Sequence, residues 1–285
     1  MDKTIITRLD GIKKGILLFT VSLMMLLSSC SEEVITVDLK KAAPKIVIEG
    51  IITDQDVPCT VTISTTDDFF KPSIFPPVTG ALVIVSDDKG NVETLDEIGQ
   101  GIYRTMSIKG VEGTIYSLKV MVDDQEYTAS STMHIATPID SLTFEFEEND
   151  IDEEEEGYHV HCHFIDHEGI EEFYRLKIYQ NGELLPSYFL YYDKYSDGNT
   201  IDYKMWEVFD PGDTVRIDLI AIDKAVFDYY MTLVEVIVDD EGGPGVFGPI
   251  PDNPISNISN GALGYFGAFA VRSKTVVIQE DLTDR

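Results

Sequence analysis

Four of the chain's five histidines, His159, His161, His163 and His167, fall within nine residues. Alternate side chains of a strand share a face, so His159, His161 and His163 are expected to project together. Neutral imidazoles suit Zn²⁺ or another borderline metal, and the acidic run Glu153–Glu156 lies close by in the chain. Positions i and i+4 of a strand stand about 13 Å apart, so one ion cannot take all three imidazoles. The spacing allows a two-histidine site completed by a carboxylate, and with it a metal-dependent hydrolase. The competing reading gives the strand a buried face of Tyr158, Val160, Cys162 and Phe164, with the histidines as its polar, solvated opposite.

A second stretch, Asp193-Lys194-Tyr195-Ser196-Asp197-Gly198-Asn199, has the outline of a calcium loop. Tyr195 occupies the third ligand position and Lys204 the twelfth, where a glutamate is required, so the match fails. Calcium on another acidic cluster stays open, with no nameable ligands. Nearby, Tyr188, Phe189, Tyr191, Tyr192, Tyr195 and Trp206 make an aromatic-rich region. If exposed, Tyr188, Tyr191, Tyr192 and Trp206 would stack on a sugar ring or anchor a protein partner. If buried, they are core and cross-strand pairs. No Gly-x-Ser-x-Gly elbow, no His-Glu-x-x-His and no phosphate-binding glycine loop occurs in the chain. With 51 acidic residues, no particular glycosidase pair can be singled out. The chain is therefore read as non-enzymatic, with no required cofactor.

The elements that must position these side chains belong to a strongly acidic protein. Among 285 residues, 21 are Lys or Arg and 51 Asp or Glu, a formal net charge of -30. A nucleic-acid partner is excluded, because affinity for phosphates comes from Lys and Arg. Apolar residues at 44% and charged residues at 25% give the balance of a folded chain.

The first thirty residues read as an address. Lys3, Arg8, Lys13 and Lys14 precede an apolar run from Ile16 to Leu27, which is too short for a spanning helix of about 20 residues. The stretch Leu27-Ser28-Ser29-Cys30 resembles the bacterial lipoprotein signal, in which the cysteine is acylated and becomes the mature N-terminus. Ser31, Glu32 and Glu33 resemble the acidic tag that sends lipoproteins of Bacteroidota to the outer face of the outer membrane. Several acyl chains on one cysteine anchor stably, at about 0.8 kcal/mol per buried CH₂.

Strand signals dominate from Ile46 onward, with turn residues every 8–12 residues or so. In Thr114–Val122, Tyr116, Leu118, Val120 and Val122 are expected to face the core. Asp87-Asp88-Lys89-Gly90-Asn91 and Asn181-Gly182 are turn signals. Val226, Phe227, Tyr230, Leu233, Val234 and Ile237 recur by threes and fours after Asp223, predicting one helix capped by that aspartate. Asn149–Gly157 is too acidic to pack, and Gly242–Pro254 is expected to be an irregular loop. Cys59 and Cys162 are read as buried free thiols. The expected organisation is mainly β. A signal peptide spans 1–29 and a lipidated tether 30–45. An N-terminal immunoglobulin-like or prealbumin-like β-sandwich spans 46–137, and a second β-rich domain with one helix spans 138–285.

Several short sequences carry a family resemblance. They are Gly80-Ala81, Gly101-Ile102-Tyr103, Asp166 ahead of Phe173-Tyr174-Arg175, Pro211-Gly212-Asp213-Thr214 and Tyr229-Tyr230. The most specific are Asn253-Pro254-Ile255-Ser256-Asn257-Ile258 and Gly264-Tyr265-Phe266-Gly267. Together they resemble the Bacteroidota outer-membrane lipoproteins of domain-of-unknown-function family 4249, over essentially the whole mature chain. The resemblance implies an accessory to a TonB-dependent β-barrel transporter of the starch-utilisation type, and it implies no catalytic residues. An adhesin-type binding module is the alternative of a different class. Asn257 and Asn260 suit turns, while Gly261, Gly264 and Gly267 allow positive φ or close approach of another backbone.

Overall fold

The computed structural model describes residues 43–66, 75–148, 156–193, 198–242 and 253–280, with residues 238–242 described by their backbone alone. Cys30, Ser31, Glu32 and Glu33 lie outside these residues, as do the signal segment, the tether to Ala42 and Lys194–Asp197. So do most of the acidic run after Asn149 and most of the Gly- and Pro-rich stretch before Pro254.

In chain order the strands begin with β1 (Ile46–Thr53), β2 (Thr60–Thr65), β3 (Leu82–Asp87) and β4 (Val92–Thr94). Next come β5 (Asp96–Gly99), β6 (Ile102–Arg104), β7 (Thr114–Val122) and β8 (Gln125–Met133). They continue with β9 (Ile139–Glu147), β10 (Gly157–Ile165), β11 (Phe173–Gln180) and β12 (Glu183–Leu184). Then follow β13 (Phe189–Tyr192), β14 (Thr200–Lys204) and β15 (Thr214–Ile222), the helix α1 (Lys224–Gly242) and β16 (Leu263–Val277).

These strands build three sheets. The largest runs β12-β11-β15-β16-β1-β2-β6-β5, with β13 also paired to β11. The others are β4-β3-β7-β8 and β14-β10-β9. The chain is mainly β with one described helix, as its patterning predicts. β1 runs parallel to β16, and it is antiparallel to β2 on its other side. The large sheet therefore draws on both sides of residue 138, and the described residues from Ala43 onward form one compact unit.

Alternation sets which face is buried. In β7, Tyr116, Leu118 and Val120 point inward and Ile115, Ser117 and Lys119 outward. Their face meets Ile48, Val61, Ile63 and Tyr103 of the large sheet in one core, the arrangement of a β-sandwich. Each such aliphatic side chain contributes about 1.5–3 kcal/mol by leaving water. The stretch Val92–Ile98 contributes to two different sheets, β4 beside β3 and β5 beside β6. Leu95, buried between them, turns the chain from one sheet to the other.

The β14-β10-β9 sheet packs over β11. Phe164 meets Tyr174 edge-on at 5.4 Å and Tyr191 at 5.6 Å. The α1 helix opens on Asp223, whose Oδ1 accepts the Val226 N–H at 2.9 Å. Val226, Tyr229 and Tyr230 form its buried face, against Phe173, Ile220, Ile222, Tyr265 and Phe269 of the large sheet.

Cys59 and Cys162 are both free and buried. Burial pushes each thiol up to about 12, with the Glu93 carboxylate adding to the rise at Cys59. Both are expected to resist Ellman's reagent in the native protein at pH 8 and to react fully in denaturant. Rapid labelling of either thiol in the native state would contradict this burial.

Candidate functional site

Tyr188, Phe189 and Trp206 converge on a groove at the meeting of two sheets and the helix. Its floor and walls are Ser187, Tyr188, Phe189 and Leu190 at the start of β13, Tyr203 of β14, and Trp206 and Glu207 just beyond it. Met231 and Val234 of α1 close one side, and the cavity measures about 430 Å³. β13 supplies this wall because Phe189 pairs across to Leu176 of β11. β14 supplies the other because Lys204 pairs with His161 of β10.

Trp206 is 68% exposed and Tyr188 37%. The Lys204 ammonium stands over the indole at 5.9 Å from its centroid, and its Nζ donates to Glu147 Oε2 at 2.6 Å. The Arg175 guanidinium lies over Tyr188 at 4.8 Å and over Tyr230 at 4.3 Å. Burial, and secondarily the Glu207 carboxylate, raise the Tyr203 phenol above its ordinary range. Glu207 Oε2 is shielded from solvent and has no hydrogen-bond partner.

Tyr191 and Tyr192, grouped with Tyr188 and Trp206 on sequence, are not part of this groove. Tyr191 packs edge-on to Phe164 and Tyr203 in the core. Tyr192 stacks on Phe173 at 4.7 Å, and its hydroxyl donates to Glu171. Conversely, Tyr203, Glu207 and Met231 enter the groove although nothing in their local spacing marks them, and Val234, read only as part of the helix's apolar face, joins them. Only the pairing of β10 with β14 and the seat of α1 bring them there.

The histidines take a different form from the one expected. Side chains of the flanking strands β9 and β14 crowd the histidine face of β10, which is partly buried rather than solvated. His159 is 3% exposed, with Nδ1 3.2 Å from the Met205 carbonyl oxygen and Nε2 3.7 Å from Glu147 Oε2. His161 Nδ1 lies 2.7 Å from Asp202 Oδ1 and its Nε2 3.2 Å from Glu145 Oε1. His163 stacks on His161 at 6.2 Å and places Nε2 2.7 Å from Thr143 Oγ1. His167 belongs to a separate place, with Nδ1 3.0 Å from Glu172 Oε1. His163 Nδ1 also lies 3.7 Å from the Asp202 Oδ1 that His161 contacts, while His159 and His167 have partners of their own. Among the described residues, no group of three His, Cys, Asp or Glu side chains is arranged to hold a metal ion.

His167 borders a cluster that sequence reasoning missed. Asp166, Glu172 and Asp193 are all buried, with Asp166 only 1% exposed. Asp166 Oδ2 accepts the Gly198 N–H at 2.9 Å, Asp193 Oδ2 accepts the Glu172 N–H at 3.0 Å, and Glu172 Oε2 accepts the His167 N–H at 3.0 Å. Burial pushes the Asp166 carboxyl up to about 6. The Gly198 N–H opposes that rise, and the Glu172 and Asp193 carboxylates add to it. In a chain with this many carboxylates, only the fold shows which three leave water.

The segment with the densest family resemblance is a structural corner. Asn257 Nδ2 donates to the Phe266 carbonyl and Asn257 Oδ1 accepts the Phe266 N–H, at 2.8 and 3.0 Å. Asn260 and Gly264 have φ of 58° and 87°. A Cβ on Gly264 would stand 2.1 Å from the Ile48 carbonyl oxygen, where β1 pairs with β16.

A family model described as "Domain of unknown function (DUF4249)" matches residues 32–275. No curated protein matches the chain. Among solved structures, one described as "Cytokine receptor complex - Crystal form 1A" aligns over 84% of this chain and 100% of its own, at 9% identity. Its TM-score of 0.24 is too low to carry an argument.

Proposed function

The chain belongs to the DUF4249 family, and from that premise we propose that it is a surface-exposed outer-membrane lipoprotein of a TonB-dependent transport system. It acts without catalysis, as an accessory or substrate-capturing subunit beside the β-barrel. The observation that carries this reading is Leu27-Ser28-Ser29-Cys30 followed at once by Ser31-Glu32-Glu33. A basic start, a short apolar run and a cysteine after small residues describe an acylated anchor. The groove holding Trp206 and Tyr188 supports the capturing role, since it joins exposed aromatic surface to a few polar groups.

Mass spectrometry of the N-terminal peptide is expected to find Cys30 acylated. Gentle detergent extraction is expected to recover the protein with a large β-barrel. An unmodified N-terminus ahead of Cys30, or protection from protease added to whole cells, would overturn the reading.

A further inference from the structure

We propose that the groove between β13, β14 and α1 is a saccharide site, in which Trp206 is the stacking platform and Glu207 the acceptor for sugar hydroxyls. The inference rests on the capturing role proposed above and names the class of substrate captured.

Trp206 is the chain's single tryptophan, and 68% of it is exposed beside a cavity of about 430 Å³. Most of the other large aromatic rings along β10, β11, β13 and α1 are tucked into the core. A cavity of this size suits a small ligand, whereas a stable protein partner covers about 800 Å² per side. Glu207 lines the same cavity as Trp206, so its side chain places a carboxylate acceptor beside the indole.

Ligand charge follows from the neighbouring cations. Lys204 already stands over Trp206, and Arg175 over Tyr188, so an ammonium ligand would meet like charge at both rings. A neutral ring with an apolar C–H face and a rim of hydroxyl donors satisfies the indole and the carboxylate together. A pyranose is such a ring.

The single tryptophan makes the test direct, since all indole emission reports on residue 206. The full-length protein in detergent is titrated with maltoheptaose, cellohexaose, mannohexaose and xylohexaose, each to about 10 mM. At least one is expected to give a saturable blue shift. By calorimetry, Trp206→Ala should weaken that saccharide at least about tenfold and Glu207→Gln by about tenfold, with circular dichroism unchanged. Three results overturn the inference. They are no shift with any of the four, binding that survives Trp206→Ala, or a shift produced by choline or an oligolysine peptide instead. An acylated, barrel-associated protein that ignores all four saccharides defeats only this inference. Saccharide binding by a protein lacking the acyl group defeats the lipoprotein reading and leaves the groove's role intact.

Discussion

Gly264→Ala is expected to lower the unfolding free energy by about 3–5 kcal/mol, a large share of the roughly 5–15 kcal/mol typical of a folded domain. Two separate costs combine at this position. With φ of 87°, any side chain is strained, which accounts for about 1 kcal/mol. The remainder comes from contact. The new methyl would sit 2.1 Å from the Ile48 carbonyl oxygen and 2.9 Å from its carbon, so backbone rather than a side-chain tip would have to move. That backbone is β1, held between β16 and β2 in the middle of the large sheet.

Gly261→Ala separates the two costs. Its φ of 72° is also positive, yet nothing lies within 4 Å of the added methyl. It should lose only about 1 kcal/mol. Thermal or urea unfolding followed by circular dichroism measures both variants. Equal losses at the two glycines would show that the approach of β1 to β16 is not as tight as described.

Asp166→Asn is expected to act in the opposite direction and to stabilise the protein at neutral pH. The carboxyl's pKa is raised from an ordinary value of 3.8 to about 6 in the fold, so the native state disfavours the charged form. The sign follows from linkage. Below about pH 4 the group is protonated folded or unfolded and carries no penalty. As pH rises through about 6, the unfolded chain has already released this proton, and the folded state must bury a charge to do the same. The penalty is complete above that range and amounts to about 2–3 kcal/mol.

An asparagine removes the charge and keeps an oxygen for the Gly198 N–H. The variant should therefore exceed the parent in stability at pH 7.5 by about 2–3 kcal/mol, with the gap closing by about pH 4. Urea denaturation at the two pH values decides it. No gain at pH 7.5 would mean that Asp166 is already adequately compensated in its charged form.

Local periodicity made much of the scaffold legible. Tyr116, Leu118 and Val120 face inward because alternation is a property of one strand and needs no partner to be read. The helix after Asp223 was visible for the same reason, and the Asn257–Gly264 corner was visible from residues that suit turns and positive φ. What required the fold was everything set by pairing between distant segments. His159 reads as solvated from its own strand, and becomes buried where the Glu147 side chain of β9 and the Met205 carbonyl just beyond β14 meet its ring. Leu95 breaks one apparent strand into two because two sheets compete for it. Tyr188 and Trp206 share a groove through the packing of separate sheets, whereas Tyr191 and Tyr192 beside Tyr188 turn to the core and to Phe173.

The parallel pairing of β1 with β16 has a consequence for how the protein is made. Val47 lies opposite Leu263, so β1 has no partner on one side until the distant strand β16 has been delivered. Such a long closure is slow, and it leaves an open sheet edge while it waits. A polypeptide delivered from its N-terminus would keep this sheet unfinished, and open to chaperones and proteases, until β16 arrives. Quality control acting on ribosome-stalled or prematurely terminated copies would then find them by that vacant edge.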